Sequence, residues 1–260
     1  MLPTKPYIVC ATQRSGSTLL CEALQSTGVA GQPDEFLEPT NVRRWTAHLR
    51  TSSPAGYLAA LRARRSSANG VFGLKLMFPD LVAFIAASGK PIDHAAMADQ
   101  VDSLLPGVSY LWLTRRNKIR QAVSYLRAVQ TDVWQLRDRA TSPPGQYSYD
   151  GIRTMRQYIV TCEGHWRSYF RAGGIRPLVI EYESFTASYS DTVSETLEHL
   201  RLPHRPVGPP TLRRQADVIS DAWVERFHRD DARRDGADVD ASTHGRQVRG
   251  AAHVRHELLG

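Results

Sequence analysis

The sequence lacks a long apolar segment. None of its 260 residues belongs to a run of about 18 consecutive apolar residues, the length that a membrane-spanning helix needs. Residues 1–6 lead directly into a predicted strand and show no apolar core of a signal peptide. We therefore expect a cytoplasmic protein without a membrane span.

Cysteine is scarce, and no group of side chains has the spacing of a metal site. The three cysteines, Cys10, Cys21 and Cys162, lie far apart on apolar or helical stretches. Such placement is typical of buried, reduced thiols. The nine histidines include no H-E-x-x-H pattern. We therefore expect no metal cofactor.

Acidic residues are outnumbered by basic ones, which leaves a net charge of +7. A basic balance occurs in proteins that bind nucleic acids, membrane surfaces or small anions. The arginines here are scattered, and no signature of a DNA- or RNA-binding module occurs. We expect no nucleic-acid partner, because a polyanionic small ligand explains the excess charge better.

Apolar strands alternate with helical segments along the chain. The predicted strands are residues 7–11, 71–78, 108–113 and 177–182. With 42% hydrophobic residues, the chain can bury one sizeable core. We predict an α/β fold, a single P-loop-like domain over residues 1–228 with a central parallel sheet flanked by helices on both faces. Residues 229–260 are predicted to form a basic, poorly ordered tail.

Two connecting segments have less regular patterns. Residues 40–68 are polar and partly helical in character, and residues 135–148 form a loop that is long enough to act as a lid. After the fourth strand, we predict that Asp191 caps a helix that extends to about Leu200. The two connecting segments are places where the pocket for a second ligand could vary.

The turn after the first strand is suited to bind phosphate. Residues 12–18 are small or polar, and leucines then recur at helical spacing. Such a turn directs backbone N–H groups and the positive end of the helix dipole at an anion. Arg14 adds a fixed charge, and Ser17 and Thr18 add hydroxyl donors. The same residues are equally compatible with an ordinary helix N-cap after a glycine turn.

This turn is not a Walker A motif. That motif, G-x-x-x-x-G-K-[ST], places a lysine after its second glycine to contact the β- and γ-phosphates. Here Ala11 replaces the first glycine, and Ser17 follows Gly16. The pattern argues against a nucleotide-dependent small-molecule kinase on a P-loop fold, which we keep as an alternative function.

A second strand–turn–helix unit supplies another candidate anion site. Arg115 and Arg116 follow the strand at 108–113, and Ser124 lies eight residues after Arg116 in the next predicted helix. Ligands of open parallel sheets bind at the carboxyl ends of the strands, so both units are expected to face one ligand. The alternative is that these arginines belong to a solvated surface loop.

Together the two units resemble the sulfotransferases that use 3′-phosphoadenosine-5′-phosphosulfate (PAPS). Residues 13–20, Gln-Arg-Ser-Gly-Ser-Thr-Leu-Leu, are similar to their 5′-phosphosulfate loop, and Arg116 with Ser124 is similar to their 3′-phosphate pair. A narrower resemblance, to the mycobacterial trehalose 2-sulfotransferase family, covers nearly the whole chain before residue 229. Its motifs lie at residues 13–36, 73–77, 121–125, 127–131 with Trp134, and 214–217 with Trp223.

The resemblance implies a PAPS-dependent O-sulfotransferase that releases PAP (adenosine 3′,5′-bisphosphate) and forms a homodimer. The implied acceptor is a hydroxyl of a sugar-containing small molecule, with trehalose as the leading choice. Glu35 is implied as general base, and Arg14 as an electrostatic clamp on the leaving phosphate. The residues implied to bind the donor are Gln13, Arg14, Ser15, Gly16, Ser17, Thr18, Arg115, Arg116, Ser124, Arg213, Arg214 and Gln215. Those assigned to the acceptor are Gln13, Glu35, Phe36, Lys75 and Trp134.

Two of these residues also have simpler explanations. Glu35 is compatible with a solvated acidic turn that includes Asp34 and Glu38. Lys75 lies inside an apolar strand, where a charge is costly unless it reaches an anion or water at an exposed sheet edge. A non-catalytic PAP-binding protein on the same fold is the second alternative function.

Overall fold

The computed structural model describes residues 5–51, 53–87, 89, 91–134, 145–210 and 218–234. Their strands are β1 (Lys5–Ala11), β2 (Val71–Met77), β3 (Ser109–Thr114) and β4 (Leu178–Glu181). All pair in parallel, in the order β2-β1-β3-β4. Val9 of β1 lies opposite Lys75 of β2 and Leu111 of β3. The predicted parallel sheet is confirmed, and β1 lies in its interior.

Helices connect successive strands, as parallel pairing requires. Between β1 and β2 lie α1 (Ser17–Ser26), α2 (Pro39–Leu49) and α3 (Pro54–Arg65). Between β2 and β3 lie α4 (Phe78–Ala86) and α5 (His94–Leu104), and between β3 and β4 lie α6 (Lys118–Thr131) and α7 (Tyr149–Ala172). After β4 come α8 (Tyr182–Ala187), α9 (Tyr189–His199) and α10 (218–234).

Apolar side chains are buried on both faces of the sheet. Ile8 of β1 belongs to a cluster with Trp166 and other residues of α3, α4, α5 and α7. Its neighbour Val9 belongs to a second cluster, with Leu24 of α1, Phe185 of α8 and residues of α9. Because successive side chains of a strand point to opposite faces, helices cover both faces, as predicted. A third apolar cluster packs α6, α7 and α10 together.

Polar contacts hold α7 against the sheet and against α6. Trp166 Nε1 donates to the carbonyl oxygen of Ala11, the last residue of β1, at 3.0 Å. Lys118 Nζ, at the start of α6, lies 2.5 Å from Oε1 of the buried Glu163 on α7. Arg167 lies 3.6 Å from the second oxygen of this carboxylate. The ion pair therefore helps to position the turn between β3 and α6.

The structure corrects two boundaries. β4 leads directly into α8, which the sequence analysis did not predict, and α9 then begins at Tyr189 with Ser188 as its N-cap residue, rather than at Asp191. Helix α10 continues to residue 234, into the segment that was predicted to be a tail. Its last turns are held because Tyr147 and Tyr149 donate hydrogen bonds to Asp230 and Asp231, respectively.

Other predicted segments agree with the structure or lie outside it. Residues 40–68 contain the helices α2 and α3. Residues 135–144 of the predicted loop and 235–260 of the predicted tail lie outside the described ranges. Among the helices of the described ranges, none is long and apolar enough to cross a membrane. Within the same ranges, no three His, Cys, Asp or Glu side chains lie close enough together to hold a metal ion.

We expect Glu163→Gln to lower the free energy of unfolding by about 3 kcal/mol, because the Lys118 ammonium group loses its buried counter-charge. Urea unfolding followed by circular dichroism measures this change. Asp150→Asn is the matched control, since Asp150 pairs with Arg234 at the surface and exposed pairs contribute less than about 1 kcal/mol. Equal effects of the two substitutions would contradict the role given to Glu163.

Candidate active site

A cavity of about 1230 Å³ opens at the carboxyl ends of the strands. Its wall includes Met77 at the end of β2, Gly16 after β1, Arg115 after β3 and Tyr182 after β4. This is the edge at which open parallel sheets bind their ligands. The structure therefore brings the two predicted strand–turn–helix units to one cavity.

The turn between β1 and α1 has the geometry of an anion-binding loop. Gly16 is the N-cap residue of α1 and has a φ of 96°, and Arg14 has a φ of 61°. A Cβ atom on Gly16 would lie 2.3 Å from Cδ2 of Tyr182, so a larger residue does not fit. Gly16 offers no capping side chain, and the first turn of α1 contains no acidic residue. The N–H groups at the start of α1 are therefore available to a ligand.

Two guanidinium groups lie beside this loop, that of Arg115 buried and that of Arg14 partly buried. Arg14 Nε donates to Ser124 Oγ at 2.9 Å, and Arg115 Nη1 donates to the carbonyl oxygen of Arg14 at 3.2 Å. The Arg115 guanidinium also stacks on the Tyr182 ring, 4.7 Å from its centroid. Burial, followed by the charge of Arg115, lowers the pKa of Arg14 to about 10. Arg14 remains positive at neutral pH. Glu183 lies 3.9 Å from Arg115 Nε, and a bound anion would add a second counter-charge for the two guanidinium groups.

The structure separates Arg116 from Ser124. The Arg116 side chain is 69% exposed and forms an ion pair with Glu181, and it is not among the described residues that line the cavity. Ser124 contacts Arg14 in the structure, and the prediction that Arg116 and Ser124 together bind a 3′-phosphate stays a prediction. Within the second unit, Arg115 is the arginine that lines the cavity. The Arg116 side chain is held by Glu181, the last residue of the adjacent strand β4.

A buried lysine connects Glu35 to the first turn of α1. Lys75 Nζ lies 3.0 Å from Glu35 Oε1 and donates to Thr18 Oγ1, also at 3.0 Å. Burial alone would lower the pKa of Lys75, but the charge of Glu35, with smaller contributions from Cys21 and Asp34, raises it above its ordinary value. Lys75 is 5% exposed, so it reaches a carboxylate rather than water at the sheet edge.

The loop that carries Glu35 is attached to the edge of the sheet. Asp34 forms an isolated parallel bridge with Leu74, and the backbone N–H of Lys75 donates to the Asp34 carbonyl oxygen at 3.0 Å. Asn41 Nδ2 donates to the Glu35 carbonyl oxygen at 2.9 Å. These contacts hold Glu35 at the cavity wall, with its side chain 33% exposed. The acidic turn is therefore not a freely solvated loop.

The other predicted residues are distributed between the cavity and the core. Those that line the cavity are Gln13, Ser17, Thr18 and Trp134. The Trp134 carbonyl oxygen accepts a hydrogen bond from Arg14 Nη1. Ser15 is fully buried in the loop. Arg213, Arg214 and Gln215 lie outside the described residues.

Phe36 does not occupy the position that the sequence analysis assigned to it. Its side chain is buried in the apolar core and packs edge-on against Trp45, with the ring centroids 5.9 Å apart. The backbone carbonyl oxygen of Phe36 accepts a hydrogen bond from the Tyr57 hydroxyl at 2.6 Å. Phe36 therefore anchors the loop that carries Glu35 to the core. Its side chain is not among the described residues that line the cavity, so it has a structural role in place of the predicted contact with the acceptor.

Sequence analysis missed several residues of the cavity wall. Among them are Asp80, Arg120, Tyr125 and Tyr182. Asp80 and Tyr182 come shortly after the carboxyl ends of β2 and β4, so the rule that ligands bind at this edge could have identified both. Arg120 lies one helical turn before Ser124 on α6, and that spacing places the two side chains on one face.

Comparison with known proteins places this geometry in a family. The family model described as Stf0 sulphotransferase matches residues 6–230. The trehalose 2-sulfotransferase of Mycolicibacterium smegmatis is 32% identical over 261 residues, which cover 88% of this chain and 96% of that protein. The trehalose 2-sulfotransferase of Mycobacterium tuberculosis is 30% identical over 254 residues, which cover 86% of this chain and 94% of that protein.

A solved structure shares the fold. The sulfotransferase from Alicyclobacillus acidocaldarius superposes with a TM-score of 0.52 over 87% of this chain and 93% of that one, at 14% sequence identity. At this identity, the likeness bears on the fold alone. The family match spans both strand–turn–helix units and the loop of Glu35. The chain therefore belongs to the Stf0 sulfotransferase family and is a sulfotransferase enzyme.

Proposed function

We propose that this sulfotransferase moves a sulfonate group from PAPS to a hydroxyl of a sugar-containing small molecule, with trehalose as the leading acceptor. One observation carries the proposal. A single cavity has an uncapped helix N-terminus with one buried and one partly buried arginine on one side, and a carboxylate held by a buried lysine on the other. The names of the two mycobacterial relatives support a carbohydrate acceptor.

The cationic side of the cavity fits the donor. The N–H groups of α1, with the hydroxyl groups of Ser17 and Thr18, would hold the 5′ side of PAPS. Arg115 and Ser124 would hold the 3′-phosphate. Arg14 contacts both of these residues, Ser124 through its side chain and Arg115 through its carbonyl oxygen. When bound, PAPS supplies a sulfonate group that is activated by a phosphate leaving group. The fixed charge of Arg14 stabilises negative charge on that phosphate, an electrostatic effect on the order of a few kcal/mol.

The carboxylate side fits the acceptor. Lys75 holds Glu35 Oε1. Glu35 Oε2 would accept the proton of the acceptor hydroxyl. In the overall reaction an oxygen–sulfur bond to the acceptor forms, the sulfur–oxygen bond to the phosphate breaks, and the hydroxyl proton passes to Glu35. Because Lys75 also contacts Thr18, the carboxylate is positioned relative to the loop that would hold the donor.

The donor site is tested by calorimetric titration of PAP, with ADP and ATP as controls. We expect selective binding of PAP without magnesium. Arg115→Ala should weaken it at least about tenfold, or about 1.4 kcal/mol, because Arg115 lines the cavity. Arg116→Ala is the matched comparison, and we expect a smaller loss because Arg116 is held by Glu181.

Two results would change the donor assignment. A larger loss in Arg116→Ala than in Arg115→Ala would return the 3′-phosphate to the pair that the sequence pattern indicated. Binding of ATP equal to that of PAP, particularly with magnesium, would contradict PAPS as donor and favour the kinase alternative.

The base is tested by Glu35→Gln, which keeps the size of the side chain and removes its basicity. We expect the rate of trehalose sulfonation under saturating PAPS to fall by about 100-fold or more, with the affinity for PAP unchanged. Product formation is measured by mass spectrometry. Glu198→Gln, the same change on the exposed surface of α9, should leave both quantities unchanged.

The same assay distinguishes the proposed enzyme from the remaining alternative, a non-catalytic PAP-binding protein. Tight PAP binding by the wild type, without turnover of trehalose or other sugars, would indicate a non-catalytic nucleotide-binding protein. Undiminished turnover in Glu35→Gln would contradict its role as base and leave the enzyme activity intact.

We further propose a cytoplasmic homodimer without a metal cofactor. The family resemblance supports this assembly, and analytical ultracentrifugation tests it.

A further inference from the structure

The two sides of the cavity carry opposite charges because of the strand order. The turn after β1 lies in the middle, Arg14 and Arg115 lie toward β3, and the acidic residues lie toward β2. We define the acidic flank as the four carboxylate residues on this second side, Asp34, Glu35, Glu38 and Asp80. Lys75 contributes a cation to this side of the cavity, where it pairs with Glu35.

Three members of the acidic flank have clear structural partners. Glu35 pairs with Lys75. Asp34 Oδ1 accepts from the backbone N–H of Glu35 at 2.8 Å. The two oxygens of Glu38 accept from the N–H groups of Thr40 and Asn41 at the start of α2, at 2.9 and 2.8 Å. These carboxylates therefore contribute to the structure of the loop and of α2.

Asp80 differs from the other three carboxylates. Its side chain is half-buried in the first turn of α4 and lines the cavity, yet it forms no hydrogen bond or ion pair with the residues that the structure describes. Burial, with the charges of Glu35 and Glu38, raises the pKa of Asp80 to about 7. The other titratable groups on packed elements nearby are Lys75 of β2, Tyr125 of α6, His94 of α5 and His165 of α7.

The position of the ionised Asp80 carboxylate does not stabilise the folded protein. The described residues give the Asp80 carboxylate no hydrogen bond and no counter-charge, and the charges of Glu35 and Glu38 disfavour its ionised form. Groups with such perturbed titration, when they face a cavity, are candidates for a role in binding or catalysis. A carboxylate accepts hydrogen bonds, and a sugar hydroxyl or an ammonium group of a ligand would supply the donor to Asp80.

We propose that Asp80 is an acceptor-specificity residue, whose carboxylate binds a hydroxyl or ammonium group of a neutral or cationic acceptor beside Glu35 and repels acceptors that carry phosphate or carboxylate. The inference rests on the proposed function and deepens it. The donor is an anion and is drawn to the arginine side, so the opposite charge of the acidic flank directs the two substrates to opposite ends of the cavity. An anionic acceptor would oppose this separation.

The test compares wild type with Asp80→Asn, using trehalose and trehalose 6-phosphate as acceptors under saturating PAPS. We expect the wild type to favour trehalose strongly. Asp80→Asn should raise the KM for trehalose about tenfold, leave the affinity for PAP unchanged and reduce the preference over trehalose 6-phosphate by at least about tenfold. The wild-type KM for trehalose should fall as the pH rises through about 7 and Asp80 ionises, whereas that of the variant should stay flat. Asp99→Asn, an exposed change on α5, is the control.

The outcomes separate this inference from the function on which it rests. Turnover of trehalose by wild type, with an unchanged KM and preference in Asp80→Asn, would overturn the inference and leave the proposed function standing. No turnover of trehalose by a wild type that binds PAP tightly would overturn the proposed acceptor, and the inference with it.

A stability measurement keeps the inference testable without any acceptor. The fold raises the pKa of Asp80 above its ordinary value of 3.8, so ionisation of Asp80 destabilises the folded protein progressively as the pH rises from about 4 to about 7. Asp80→Asn removes this effect. The variant should therefore melt at a higher temperature than wild type at about pH 8, and the difference should shrink toward about pH 5. A lower melting temperature at pH 8 would mean that Asp80 has a stabilising partner, which contradicts the proposal.

Discussion

Parallel pairing of β1 with β2 on one side and β3 on the other is the constraint on which the site depends. Parallel strands end at a common edge, so the polar turn after β1 lies between the end of β2 and the arginines after β3. The helices that return the chain to the opposite edge also bury both faces of the sheet. The same topology therefore builds the core and assembles the cavity.

The charges around the turn follow from this topology. Arg115 is buried and Arg14 is partly buried on the β3 side, where burial and the charge of Arg115 oppose the positive charge of Arg14. Lys75 lies on the β2 side and contacts both Glu35 and Thr18, so it links the acidic wall of the cavity to the first turn of α1. Glu183, 3.9 Å from Arg115 Nε, offsets part of the repulsion between the two guanidinium groups. An anionic donor held by a sulfotransferase explains why they are brought together.

Most of the fold could be predicted from local patterns, because apolar periodicity and turn residues act over a few positions. The missed element, α8, has six residues and follows β4 with no residue between them. The end of α10 depends on hydrogen bonds from Tyr147 and Tyr149, which lie about 80 residues earlier in the chain. No local pattern contains that information. The end of α10 was therefore wrong because it depends on distant residues.

The sequence by itself determined the chemistry of the turns: Gly16 where a tight approach is needed, Arg14 and Thr18 beside it, and Glu35 within a family motif. Only the tertiary structure decided which side chains meet. It joins Ser124 to Arg14, buries Phe36 in the core and places Asp80 in the cavity wall. The physical reason is that spacing along one element sets the direction of its own side chains, whereas contacts between elements depend on how α2, α4 and α6 pack around the sheet.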